Sequence, residues 1–131
     1  AKGTVFISVK EADKDTLILE AAQILSKLGF DIVATGGTST WLSENNVKNA
    51  RVKKVYEGQP NAVDALKNGE IDLIFNTTEG TQSFEDSRPI RAAALSGKIC
   101  YYTTAAASNA AAKAIRNMAE GEIEVNALQN Y

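Results

Sequence analysis

Hydrophobic positions along the chain alternate between two periods. Thr4-Val5-Phe6-Ile7-Ser8-Val9 is a β-branched and aromatic run that predicts a strand. From Thr16 onward, Leu17, Ala21, Ile24 and Leu28 recur at helical spacing with Ile18, Ala22 and Leu25 beside them, a wide apolar stripe that predicts a helix. Asp13 or Asp15 can cap it and Gly29 stops it. The alternation then repeats. Residues 30–34 predict a strand, 38–45 a short helix with Trp41 and Leu42 turned inward, and Val52 with Val55 a short strand within 48–57. A helix over 62–67 capped by Asn61 leads to a strand over 71–75, and a helix over 87–96 with Pro89 in its first turn leads to a strand over 99–102. An alanine-rich helix from about Ala106 to Met118 and a polar tail over 119–131, docked or frayed, complete the chain. Five strands alternating with five helices, with no hairpin signal, predict an α/β fold: a parallel sheet with helices on both faces.

Composition narrows this picture. A chain of 131 residues with 44% hydrophobic content suffices for one domain around one core. Fourteen basic against 16 acidic residues give a net charge of −2, so nothing global draws the chain to nucleic acid or an anionic membrane, and any anion site must be local. No apolar stretch approaches the roughly 20 residues that span a bilayer. The single cysteine, Cys100, forbids an intrachain disulfide and sits in the run Ile99-Cys100-Tyr101-Tyr102, where a buried, inert thiol in an intracellular, cytoplasmic setting is expected. Histidine is absent, which removes the usual general base and the commonest metal ligand; no metal site is expected. The start at Ala1-Lys2-Gly3, running straight into a strand, is what a piece cut from a longer polypeptide would show.

In parallel α/β sheets, ligands bind beyond the carboxyl ends of the strands. The stretch Ile32-Val33-Ala34-Thr35-Gly36-Gly37-Thr38-Ser39-Thr40 is such an end, and Gly36 and Gly37, free to take positive φ, can let backbone N–H groups approach a phosphate. Thr35, Thr38, Ser39 and Thr40 add hydroxyls. Alone, this loop is equally a turn with Thr38 capping the next helix. The other strand ends bring Ser8 and Lys14, Lys54, and Asn76, Thr77 and Thr78 to the same edge, and together they compose an anion site with neutral groups left over for a ring or sugar. Carboxylates near the rim, Glu57, Asp64, Glu79, Glu85 and Asp86, form no pair flanked by a nucleophile, and neither a P-loop nor G-x-G-x-x-G is present. Binding without catalysis is expected.

Several separated stretches carry a family resemblance: "FISVKEADK", "LGFDIVATGGT", "VKKVYEGQPN", "NGEIDLIFNTTEG", "EDSRPIRAAAL" and "KICYYTT". In order and spacing, over nearly the whole length, they resemble the methylglyoxal-synthase-like regulatory domain at the C-terminus of the carbamoyl phosphate synthetase large subunit. The resemblance implies a Rossmann-like three-layer sandwich with a five-stranded parallel sheet, and no catalysis of its own. It implies an allosteric domain that binds nucleoside monophosphates, UMP as inhibitor and IMP as activator in bacterial enzymes. Through them it regulates an ATP-dependent, glutamine-hydrolysing ligase that supplies pyrimidine and arginine biosynthesis. The implied partners are the rest of the large subunit and the glutaminase small subunit, with no cofactor. Matched motif by motif, the nucleotide positions fall on Ser8, Lys14, Thr35, Thr38, Lys54, Asn76 and Thr78, and ornithine, which activates the full-length enzyme at the domain border, would meet Tyr101 and Thr103.

Departures from the pattern sharpen the expectation. Thr81-Gln82 stand where many relatives carry two arginines, and Ala92 stands where a second arginine is usual, so the rim is less positive. Two enzymes are the alternatives. A methylglyoxal synthase would place its catalytic aspartate where this chain has Pro60, and would need a histidine. An IMP cyclohydrolase domain would need a lysine- and histidine-bearing motif where this chain reads "VYEGQPNAVDAL".

Overall fold

A computed structural model of the chain describes residues 3–53, 61–77 and 80–129, with side chains described except over 80–87 and 122–129. Five parallel strands form one sheet in the order β3-β2-β1-β4-β5: β1 (Thr4–Ser8), β2 (Asp31–Ala34), β3 (Ala50–Arg51), β4 (Leu73–Asn76) and β5 (Cys100–Tyr102). The chain builds outward from β1 to β3, then returns to lay β4 on the other side of β1. The strand order therefore switches between β1 and β4, where Ser8 pairs in register with Asn76.

Strand alternation sorts the side chains into two cores. Val5, Ile7, Leu73 and Phe75 face one side with α1 (Thr16–Lys27), α2 (Gly36–Glu44) and α5 (Ala105–Gln129). Phe6 and Ile74 face the other with α3 (Ala62–Lys67) and α4 (Gly80–Ser96). β1 is central because both of its faces are apolar: Val5, Phe6 and Ile7 are fully buried. The side chain of Asp15 caps α1 by accepting from the N–H groups of Leu17 and Ile18. Gly29, at φ 97°, turns the chain out of the helix. At α3, Asn61 and Asp64 complete a capping box, the Asp64 carboxylate accepting from Asn61 N at 2.8 Å.

Several expectations are corrected. β3 holds only Ala50 and Arg51; Val52 follows it, with its N–H bonded to Ala34 O at 2.9 Å, and Val55 lies outside the described residues. α4 begins at Gly80 rather than at 87, so Pro89 sits in the helix interior instead of its first turn. α5 runs through the expected tail to Gln129, since the segment has no proline and Gly121 alone costs only about 1 kcal/mol of helix propensity. Cys100 is exposed, not buried, on β5, the last of the described strands in the sheet order. Among the described residues, no helix is long and apolar enough to cross a membrane.

Candidate functional site

The carboxyl ends of the strands bring Ser8, Thr35, Asn76 and Thr77 to one edge, all but Ser8 buried to 5% exposure or less. The chains leaving β1 and β4 are laced together here. Thr77 N donates to Ser8 O at 3.0 Å, and Lys10 N donates to the Thr77 hydroxyl at 3.0 Å. Ser8 and Thr35 share a hydroxyl bond at 2.7 Å. The Asn76 amide nitrogen donates to the Tyr101 hydroxyl, and the Arg91 guanidinium lies 5.6 Å from the centre of that tyrosine ring. Thr103, exposed, follows directly after β5.

The glycine stretch is helical. Gly36 and Gly37 open α2, with Thr35 as N-cap, and neither has positive φ; the described glycines that do are Gly29 and Gly69. The expected open cradle is thus a helix N-terminus, in which the N–H groups of Gly36, Gly37 and Thr38 precede the first intrahelical bond, Ser39 N to Thr35 O at 2.8 Å. The threonine cap makes no side-chain hydrogen bond to this helix end. All four hydroxyls of the stretch are engaged elsewhere: Thr35 with Ser8, Thr38 accepting from Val9 N at 3.1 Å, Ser39 donating to Asn49 Oδ1 at 2.6 Å and Thr40 donating to Gly36 O at 3.2 Å.

Two cations flank the same turn. A methyl built on Gly37 would stand 3.1 Å from Lys14 Nζ, and one built on Gly36 would stand 3.3 Å from Arg51 Nη2. Lys14 is no solvated surface lysine: its side chain is 14% exposed and pairs at 2.8 Å with Glu11, whose own side chain is 82% exposed. A helix N-terminus carries roughly half a positive charge, and cationic groups beside it suit an anion, with Lys14 paired to Glu11 in this structure. Arg51 was missed in the sequence because it lay inside the predicted strand segment; the Ala34–Arg51 register, which puts it beside the end of β2, is not visible without the sheet. Lys54 and Thr78, the other expected contacts, lie outside the described residues, as do Pro60, Glu57 and Glu79.

A groove of about 1000 Å³ runs along the flank of β2 and β3, from Thr4, Phe30 and Asp31 at the amino ends of the strands to Val52, Asn61 and Arg51. It meets the strand-end cluster at Arg51 rather than at Ser8 and Asn76. Elsewhere, Asn109 of α5 donates to Leu17 O and to Glu20, both at 2.9 Å, pinning α5 on α1. That bond, with Lys113 beside it, holds the Glu20 carboxyl below its ordinary value.

The family model for the MGS-like domain matches residues 17–103, from the first helix through the last strand. The chain belongs to the MGS-like domain family. Similar curated proteins include the carbamoyl phosphate synthase large chain of Rhizobium meliloti (strain 1021), 44% identical over 98% of this chain. The large chain of Brucella suis biovar 1 is 43% identical over 99% of it. The carbamoyl phosphate synthase large chain, C-terminal section, of Methanopyrus kandleri is 45% identical over 98% of it. This MGS-like domain spans only 11% of the length of the first two and 24% of the third. Its five-stranded all-parallel sheet with helices on both faces is the Rossmann-like architecture expected of the family.

Proposed function

We propose that this MGS-like domain is the allosteric effector-binding part of a carbamoyl phosphate synthetase large subunit, binding nucleoside monophosphates such as UMP and IMP. The observation that carries the proposal is the start of α2. The Thr35 side chain does not cap its N–H groups, its hydroxyls are engaged elsewhere, and Lys14 and Arg51 stand where side chains on Gly37 and Gly36 would reach. In this reading the nucleotide phosphate sits over Gly36, Gly37 and Thr38, with Lys14 giving up Glu11 to meet it. Ser8, Thr35, Asn76 and Thr77 line the nucleoside side, and Lys54 and Thr78 complete the set. The buried hydroxyls of Thr35 and Thr38 act mainly by fixing the edge on which the anion rests.

The domain performs no chemistry of its own in this proposal. Among the described residues, Asp64, four positions after Pro60, is committed to the α3 capping box, and the chain has no histidine. Dihydroxyacetone phosphate yielding methylglyoxal with this chain would revive the lyase alternative. In the whole ligase, the domain would act beside the rest of the large subunit and the glutaminase subunit in the cytoplasm. A nucleotide would shift the synthetase by binding one arrangement of the domain more tightly than another. Tyr101 and Thr103 would form the domain's share of an ornithine site at the border. The test is an amide chemical-shift map of the chain with added UMP or IMP. Shifts centred on residues 8–10, 35–38 and 76–77 are expected; shifts confined to the groove along β2 and β3, or none, would reject the site.

A further inference from the structure

The passage from α2 into β3 is organised around one half-buried side chain, Asn49. Its amide oxygen accepts from the Ser39 hydroxyl at 2.6 Å, and its amide nitrogen lies 2.9 Å from Val47 O, 3.1 Å from Ser43 Oγ and 3.4 Å from Ser39 O. Backbone carbonyls only accept, so Val47 O and Ser39 O fix which end of the amide is the nitrogen. Asn49 thereby ties the start of β3 to α2. Sheet pairing alone fixes little here: β3 ends the order of described strands, pairs with β2 only at Val33–Ala50 and Ala34–Arg51, and has both of its residues exposed. Along α2, Gly36, Ser39 and Ser43 share one face at helical spacing. Asn49 takes Ser39 and Ser43, and Arg51, two residues on and so on the same side of an extended chain, takes Gly36. A side chain at position 36 would meet Arg51 Nη2 at 3.3 Å, Cζ at 3.7 Å and Nε at 3.9 Å, so the guanidinium lies against the backbone that opens the helix.

We propose that Asn49 is a positioning residue for phosphate recognition: by tying β3 to α2 it holds the Arg51 guanidinium over Gly36, where that group adds charge and N–H donors to a phosphomonoester at the α2 N-terminus. The inference rests on the nucleotide reading above and adds to it the residue that builds the arginine's side of the site. The planar fork of an arginine matches a phosphate only when its direction is set, and a long side chain on a two-residue edge strand needs that direction from elsewhere. Lys14 reaches the same helix start from the residue before the Asp15 cap of α1, so its share of the binding does not run through Asn49. The share that does run through Asn49 is electrostatic.

The experiment is a double-mutant cycle on the 131-residue chain with Asn49→Ala, Arg51→Gln and the pair, each titrated with UMP and IMP by calorimetry at low and at high salt, with a thermal midpoint for each variant. Arg51→Gln should weaken nucleotide binding roughly tenfold at low salt, the loss of one charge-assisted contact, and that deficit should shrink at high salt. Asn49→Ala should weaken binding roughly three- to tenfold with the same salt response, and should cost nothing further once Arg51 is glutamine. Where Asn49→Ala unfolds the chain, Ser39→Ala, which removes only the hydroxyl donor to Asn49, takes its place in the cycle. An asparagine that merely supports the fold would weaken binding equally in both Arg51 backgrounds and at both salt concentrations, and that result overturns the inference. Unchanged nucleotide affinity in either single variant overturns it as well, and leaves the Lys14 side of the nucleotide reading standing. An unaltered chain that binds neither UMP nor IMP removes the functional reading and the inference together.

Discussion

Replacing Gly37 by alanine separates the two roles that a glycine at this position could have. Were Gly37 needed for a left-handed turn, alanine would be strained and the fold would lose stability. It is instead the second residue of α2, where alanine is conformationally acceptable and gains up to about 0.5–1 kcal/mol over glycine from helix propensity and a less flexible unfolded chain. Against this stands a methyl 3.1 Å from Lys14 Nζ, tighter than ordinary contact. Because that atom ends a flexible four-carbon stem, it moves aside, and the cost falls mainly on its placement. The fold should therefore be unchanged or stabilised, with a thermal midpoint raised by up to roughly 4 °C for a domain of this size. Nucleotide binding should suffer, since the ammonium is displaced and the methyl occupies the phosphate's approach. Losing one charge-assisted contact, about 1.5–3 kcal/mol, weakens affinity roughly ten- to hundredfold. Thermal unfolding and UMP titration on the same preparation read both effects. A loss of more than about 1 kcal/mol of stability would mean that Gly37 is needed for its backbone conformation, and unchanged UMP affinity would place the phosphate elsewhere.

Other perturbations test the frame around the site. Thr38→Val keeps the shape but leaves the buried Val9 N–H without its acceptor, and should cost about 1–3 kcal/mol in denaturant unfolding. Asn109→Ala removes the bonds from α5 to Leu17 O and Glu20, and should lower stability by a comparable amount while leaving nucleotide affinity unchanged. The Glu20 carboxyl is held below its ordinary value of 4.5, first by the Asn109 bond and then by Lys113. A depressed carboxylate contributes its stability above the unfolded value and loses it as pH falls through the folded one. Unfolding measured from about pH 5 downward should thus lose stability in the unaltered chain, and the loss should shrink in Asn109→Ala.

Much of the architecture was legible because period and topology agree. The alternation around Phe6 and the stripe from Ile18 to Leu25 each specify a face, and parallel strands without hairpins leave few ways to cover both sides of a sheet. The strand ends were legible for the same reason: once the strands are parallel, Ser8, Thr35, Asn76 and Thr77 share an edge. What local pattern could not supply was conformation within a motif and register between strands. Thr35-Gly36-Gly37-Thr38 has the composition of a flexible turn, yet the pull of Leu42 and Val47 into the core and the Thr38 bond to Val9 start the helix two residues earlier, at Gly36. Arg51 became a neighbour of Gly36 only through pairing of β3 with β2. Cys100 looked buried by the company it keeps in sequence and is exposed on β5, which pairs with one strand only among the described residues.

If the start of α2, between Lys14 and Arg51, is a phosphate site serving nucleotide recognition, removing the phosphate from the ligand weakens binding. Titration of the chain with UMP and IMP, set beside uridine and inosine at the same ionic strength, tests it most directly. One nucleotide per chain is expected for at least one of the monophosphates, with the matching nucleoside bound at least tenfold more weakly and the difference shrinking as salt rises. Equal binding of nucleotide and nucleoside, or heat from neither monophosphate, would contradict the account.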